Sequence, residues 1–200
     1  HTIFVSQGYY PIKGLHYMLE ALGDIRKFYP DARLRVAGGV SLNNAGLKNR
    51  LKQKNYQRYL AELIEKYSLA GCVEFLPPLK ADEMKKMYLK SNVFVSPSSI
   101  ENSPNSLGEA MMLGVPCVSS LVGGVGNMLI NGAEGFTYQH DAPYMLAYYV
   151  MEIFRLQKEN RQQLADMTDM AHSHAMSLFD SEKNAANMLE IYSGIERIKR

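Results

Sequence analysis

Val93-Phe94-Val95, then a polar loop to Pro104, then Asn105-Ser106-Leu107-Gly108-Glu109-Ala110-Met111-Met112-Leu113 up to Gly114, then Pro116-Cys117-Val118-Ser119: this stretch decides the fold. Two short apolar runs of β-branched and aromatic type flank a segment whose apolar residues recur at helical spacing, closed by a glycine. A strand, a helix and a second strand with no hairpin turn between them read as a crossover joining parallel neighbours. The same alternation continues on both sides. Residues 2–6 predict a buried strand, and Gly8 to Gly14 a loop containing Pro11. Leu15, Met18, Leu19 and Leu22 predict a helix over 15–28, ending before Pro30. Arg33 to Ala37 predicts a strand stopped by Gly38-Gly39, and a polar helix follows at about 47–67. Val73-Glu74-Phe75-Leu76 is a strand broken by Pro77-Pro78, and 81–90 is a short helix with Asp82 and Glu83 in its first turn. Phe136-Thr137 is the last strand, and everything from 141 to Lys199 reads as helix. The strands are apolar runs rather than alternating ones, so both of their sides are buried. The expected fold class is α/β, a parallel sheet with helices on both faces.

Composition removes other classes. With 200 residues the chain can bury a real core without staples. The 46% hydrophobic and 21% charged content excludes collagen-like and disordered chains. The 22 basic and 20 acidic residues nearly cancel, which gives no support to a nucleic-acid partner. Cys72 and Cys117 have no metal-ligand spacing and sit in Gly-Cys-Val and Pro-Cys-Val, so both are expected as reduced core thiols. No apolar run is long enough to span a membrane. The abrupt opening on Thr2-Ile3-Phe4-Val5 suggests a domain from a longer chain, and the expected setting is cytoplasmic.

Parallel sheets place ligands outside the carboxyl ends of their strands. The loops to read are therefore 6–14, 38–46, 77–81, 96–106 and 120–127. In the first, Lys13-Gly14 stands at the mouth of a helix, where free N–H groups, the dipole and a full positive charge suit an anion. A solvated surface lysine has the same sequence. In the fourth, Glu101 lies in a loop and Glu109 about one turn into a helix that Asn105, Ser106 and Leu107 open. Two carboxylates flanking exposed amides suit a sugar nucleotide: the amides take phosphate, and the carboxylates accept from sugar and ribose hydroxyls. The plainer reading makes Glu101 a loop charge and Glu109 a support for the helix. In the last, Val122-Gly123-Gly124-Val125-Gly126-Asn127 lets backbone approach closely. It lacks the third glycine of a dinucleotide fingerprint, and no acidic residue closes the unit.

Taken in order, these pieces resemble the C-terminal half of a GT-B glycosyltransferase of family 4, the retaining group 1 transferases. The resemblance rests on Lys13-Gly14; Val36-Ala37-Gly38-Gly39; Val73-Glu74-Phe75-Leu76; Phe94-Val95-Ser96-Pro97-Ser98; Glu101 and Glu109 as E-x7-E; Gly114-Val115-Pro116-Cys117-Val118; Gly123-Gly124; and Asn131-Gly132-Ala133-Glu134-Gly135-Phe136. It implies a Rossmann-like nucleotide-sugar-binding domain over 1–175 and a C-terminal helix, 176–200, that returns to an absent N-terminal acceptor domain. Lys13 would neutralise the departing diphosphate and Glu101 would contact the transferred sugar. Glu109 would hold the ribose, the amides near Asn105, Ser106 and Leu107 would cradle phosphate, Gly124 would allow close approach, and Gly8 and Leu79 would complete the donor-binding set. The base would sit near Leu76 to Leu79. The donor would be a UDP-, GDP- or ADP-sugar, with no metal or other cofactor. The acceptor would be a glycan or lipid-linked glycan brought by the missing half, and Tyr10-Pro11-x-Lys13-Gly14-Leu15-His16 resembles bacterial surface-polysaccharide transferases. The fragment alone is expected to bind nucleotide weakly and not to transfer sugar.

The departures are specific. The family's arginine five residues before the lysine is Gly8 here, beside Gln7. The glycine after the Val-x-Phe-Leu strand is Pro77, and the Gly-Phe-Gly after the first glutamate is Asn102-Ser103-Pro104. The Pro-Glu after the glycine pair is Gly126-Asn127. The missing arginine keeps open a nucleotide-sugar-binding module without catalysis, and an epimerase of the same fold is a third reading. Lys48, Arg50, Lys52, Lys54 and Arg58 form a basic stretch, read as a solvated helix face or as peripheral contact with an anionic membrane. His172 and His174 read as surface residues, His16 as a candidate phosphate contact, and the helix at 181–198 as amphipathic.

Overall fold

The structure, a computed structural model, describes residues 1–38 and 55–198, without the side chains of 196–198. Lys48, Arg50, Lys52 and Lys54 of the basic stretch lie outside the described residues, whereas Arg58 is placed and faces Glu62 one turn on. Six strands form one parallel sheet among the described residues: β1 (Thr2–Val5), β2 (Arg33–Val36), β3 (Val73–Phe75), β4 (Val93–Ser96), β5 (Cys117–Ser120) and β6 (Phe136–Tyr138). Their order is β3-β2-β1-β4-β5-β6. The helices are α1 (Leu15–Phe28), α2 (Asn55–Lys66), α3 (Ala81–Leu89), α4 (Asn105–Met112), α5 (Val125–Met128), α6 (Pro143–Glu159), α7 (Arg161–Leu178) and α8 (Ser181–Ile198).

Both faces of the sheet are covered, as the unbroken apolar runs require. Side chains alternate across a strand. Ile3, Val5, Val93, Val95 and Val118 therefore point into one core, under α1, α2 and α6. Phe4, Phe94 and Cys117 point into the other, under α3, α4 and α5. Helix α7 serves both: Leu164 and Met167 join the first core, and Ala171 and Ala175 seal the second. Cys72 and Cys117 are buried free thiols, as expected.

The C-terminal helical stretch is three helices rather than one. Asn160 ends α6 and caps α7, its side chain accepting from the Gln163 amide, a usual role for asparagine. His172 is exposed, as expected, and His174 is half-buried, and both have partners. His174 Nδ1 lies 2.9 Å from the buried Glu134 carboxylate, and His172 Nδ1 lies 2.7 Å from the Met112 carbonyl. Together they tie α7 to the turn before β6 and to the end of α4. Beyond this point the chain is different in kind. Every described side chain from Met176 to Ile195 is exposed, including Met188, Leu189, Ile191, Tyr192 and Ile195.

Candidate functional site

The order of the strands makes the site. The chain builds outward from β1 to β3, then returns to place β4 on the other side of β1. The connections after β1 and β4 run to opposite faces, so a crevice opens between them at the carboxyl ends. A cleft of about 900 Å³ lies there. Ser6, Gln7 and Lys13 line it from the loop after β1, and Ala37 and Gly38 from the end of β2. Pro78, Leu79, Met84, Lys85 and Tyr88 form the wall from the β3 end and α3. Glu101, Asn105, Ser106 and Glu109 close it from the β4 loop and α4.

Lys13 and Glu101 are 88 residues apart in sequence, yet their side chains form an ion pair at 2.5 Å. Backbone contacts explain the meeting. A single 3₁₀ turn, Pro11–Lys13, ends at Gly14, whose φ of +69° is a left-handed conformation that disfavours other residues. A Cβ at Gly14 would fall on the Pro97 carbonyl, so the first loop can lie directly against the fourth. The Ser99 amide donates to the Ile12 carbonyl at 2.8 Å and fixes the two loops together. Below them, the Ser120 hydroxyl donates to the Ser98 carbonyl at 2.5 Å, and the Ser98 hydroxyl donates to Glu101 Oε1 at 2.9 Å. The lysine and glutamate are 23% and 14% exposed, a setting where a phosphate oxygen or sugar hydroxyl can reach them without full competition from water.

The glycine pair has a different partner from the expected one. Gly124 does not line the cleft. Its amide donates to the Asn102 carbonyl at 2.6 Å, and at Gly123 (φ +52°) a Cβ would overlap the Glu101 carbonyl. The close approach that the glycines permit is thus to the Glu101 loop. Leu107 also moves out of the expected set: it is buried, and its amide donates to the Pro104 carbonyl. Among the described residues the Asn105 and Ser106 amides have no acceptor, so these two remain for an anion, aided by the helix dipole. Gly8 is buried and outside the lining, with Gln7 taking the place beside the cleft. Leu79 lines it, beside Pro78.

His16 faces away from the cleft into a cluster of tyrosines. Its ring is tilted against Tyr17 at 4.0 Å, and its Nδ1 lies 3.2 Å from the Tyr56 hydroxyl. Burial lowers the His16 pKa from its usual 6.5 and pushes the Tyr56 phenol up to about 12. A lowered folded pKa means that the unfolded chain takes the proton first, so stability is complete above pH 6.5 and falls as acid reaches the folded value. The fall in melting temperature between pH 7.5 and pH 5.5 should be smaller in His16→Gln than in the parent, as scanning calorimetry would record.

Tyr88 escaped the sequence reading. Its phenol donates to Glu109 Oε2 at 3.0 Å and lies 3.2 Å from the Ser106 carbonyl. Burial, and then the neighbouring carboxylate, push its pKa well above the usual range, so it stays a donor. In sequence it is one more aromatic on the buried side of a short helix, and no local signal separates it from the core.

The Glycosyl transferases group 1 family matches residues 1–168. The chain belongs to the group 1 glycosyl transferases. D-inositol 3-phosphate glycosyltransferase of Paenarthrobacter aurescens is 30% identical over 90% of this chain and 41% of its own length. The protein of the same name from Corynebacterium urealyticum is 27% identical over 92% of this chain, again 41% of its own length. The chain thus spans less than half of these curated relatives. Among solved structures, sucrose-phosphate synthase from Thermosynechococcus elongatus superposes with a TM-score of 0.79 at 21% identity, over 98% of this chain and 46% of that one. Anabaena HepE, solved in complex with UDP-glucose, superposes at 0.76 with 21% identity, over 96% of this chain and 48% of that one. The C-terminal domain of LpcC from Francisella tularensis superposes at 0.71 with 15% identity, over 88% of this chain and 85% of that one. The parallel sheet with helices on both sides is the Rossmann-like C-terminal fold of a GT-B glycosyltransferase.

Proposed function

We propose that this chain is the donor-binding half of a retaining, family 4 glycosyltransferase. It would hold a nucleoside diphosphate sugar in the cleft between the β1 and β4 loops. One observation carries the reading: Lys13, Glu101, Glu109 and the two unused amides of Asn105 and Ser106, drawn from two distant segments, line one crevice. The UDP-glucose complex of HepE supports a nucleotide sugar as donor. The diphosphate lies between Lys13 and the mouth of α4, where a fixed cation and fixed N–H groups stabilise the charge that grows as it leaves. No metal is required for that role, because the lysine and the helix end supply the positive potential. Glu101 accepts from hydroxyls of the transferred sugar, and its bond to Lys13 keeps lysine and sugar in register. Glu109 accepts from the ribose, and the Pro78, Leu79 and Met84 wall packs the base.

The acceptor, a glycan or lipid-linked glycan, enters with an N-terminal half outside this chain. The exposed apolar side of α8 is the surface that returns to that half. The chain alone therefore binds nucleotide and does not transfer sugar. The buried Gly8, standing where the family has an arginine, favours a second reading, a binding module without catalysis. Assay of the whole protein separates the two: sugar transfer or donor hydrolysis supports the enzyme, and binding alone supports the module.

The direct test on this chain is calorimetry with UDP, GDP and ADP. One of them should bind, and Glu109→Ala should weaken it about tenfold, the value of a lost hydrogen bond to a charged group. Unchanged affinity in Glu109→Ala would remove the ribose assignment.

A further inference from the structure

Tyr88 has a geometry that a core tyrosine does not need. The residue is 1% exposed, and its ring packs edge-on against Phe4 at 5.2 Å and Phe94 at 5.3 Å, on the two central strands. Both contacts lie in the second core, so the ring cannot swing without disturbing the sheet. Its hydroxyl lies at the floor of the cleft, where it meets Glu109 Oε2 at 3.0 Å and the Ser106 carbonyl at 3.2 Å. A phenol has one proton, and of these two acceptors the charged carboxylate is the stronger.

Glu109 needs such a partner. It is exposed on the first turns of α4, and an exposed glutamate samples several rotamers. Among the described residues the Tyr88 hydroxyl is the donor that the structure gives to its carboxylate, and it engages Oε2. Oε1 has no hydrogen-bond partner there. A carboxylate held at one oxygen by a rigid phenol presents the other in a fixed direction. Two adjacent hydroxyls of a ribose are the donors that such an acceptor suits.

We propose that Tyr88 is a positioning residue for ribose recognition. It locks the Glu109 carboxylate from below so that Oε1 meets the 2′,3′-diol. It makes the cleft discriminate ribose from deoxygenated sugars without touching the nucleotide's ribose itself. This rests on the reading of Glu109 as the ribose acceptor. The entropy of fixing Glu109 is met on folding instead of on binding, the usual benefit of preorganisation.

The experiment is calorimetry of this chain with UDP, GDP and ADP and with their 2′,3′-dideoxy forms, in the parent, Tyr88→Phe, Glu109→Ala and the double variant. Tyr88→Phe keeps the ring and removes one oxygen, and its melting temperature reports that the fold is retained. The parent should prefer the ribose form of its best ligand. Tyr88→Phe should lose about fivefold on that form and nothing on the dideoxy form. Adding Tyr88→Phe to Glu109→Ala should change nothing further. Equal weakening of both forms in Tyr88→Phe would show a merely structural tyrosine and overturn the proposal, as would an unchanged ribose affinity. If Glu109→Ala itself leaves the ribose preference intact, the ribose reading of Glu109 fails first and takes this proposal with it. Loss of preference in Glu109→Ala with full preference in Tyr88→Phe defeats the role of Tyr88 alone.

Discussion

Lys13→Ala should weaken binding of the preferred nucleoside diphosphate by about ten- to a hundredfold, and leave binding of the bare nucleoside almost unchanged. The side chain supplies a full charge within a partly desolvated cleft, and a hydrogen bond to a charged group contributes about 1.5–3 kcal/mol. The substitution also removes the partner of Glu101, a carboxylate only 14% exposed in the parent, and leaves it the Ser98 hydroxyl. A charge so placed costs more than a surface charge. Titration calorimetry with diphosphate and nucleoside in parallel separates the phosphate contact from any general loosening. Equal losses on both ligands would contradict a phosphate role for Lys13.

Gly123→Ala should rank with Gly14→Ala among the most damaging substitutions outside the core. Gly123 has φ +52°, where a side chain costs about 1–2 kcal/mol. Its Cβ would also overlap the Glu101 carbonyl, and relieving such a clash adds about 1–3 kcal/mol. For a chain of this size the sum lowers the melting temperature by roughly 5–15 °C. Gly71→Ala is the control. It too has a positive φ, +83°, but open space around it, so it should show the backbone cost alone. Because the Gly123 clash falls on the backbone of Glu101, the variant should also bind the sugar nucleotide less well even at temperatures where it is folded. A Gly123→Ala protein as stable as Gly71→Ala would show that the loops are not clasped together as described.

The elements were legible because their signals are local. The apolar spacing from Leu15 to Leu22 with Pro30 beyond it gives α1 as residues 15–28, the observed bounds. Runs such as Val93-Phe94-Val95 give strands buried on both sides, and the two cores confirm that burial. Pairings across the fold were not legible. Nothing near Lys13 announces Glu101, because their contact depends on β4 returning to lie beside β1. The role of Gly124 was misplaced for the same reason: its flexibility is visible in sequence, but the loop it admits is not. Leu107 looked like an open amide because its position opens a helix, whereas the carbonyl of Pro104 takes its N–H. His174 looked superficial because its partner, Glu134, is 40 residues away. Tyr88 carries the pattern of a core residue throughout, and only its hydroxyl reaches the site.

The central claim is that two carboxylates, one lysine and the mouth of α4 surround a single diphosphate. A crystal structure of this chain soaked with whichever of UDP, GDP or ADP binds most tightly tests it most directly. The account predicts phosphate oxygens within hydrogen-bond distance of Lys13 Nζ and the Asn105 and Ser106 amides, with the ribose hydroxyls on Glu109. A nucleotide bound away from the β1–β4 crevice, or seated there with its phosphates turned from Lys13, would contradict it.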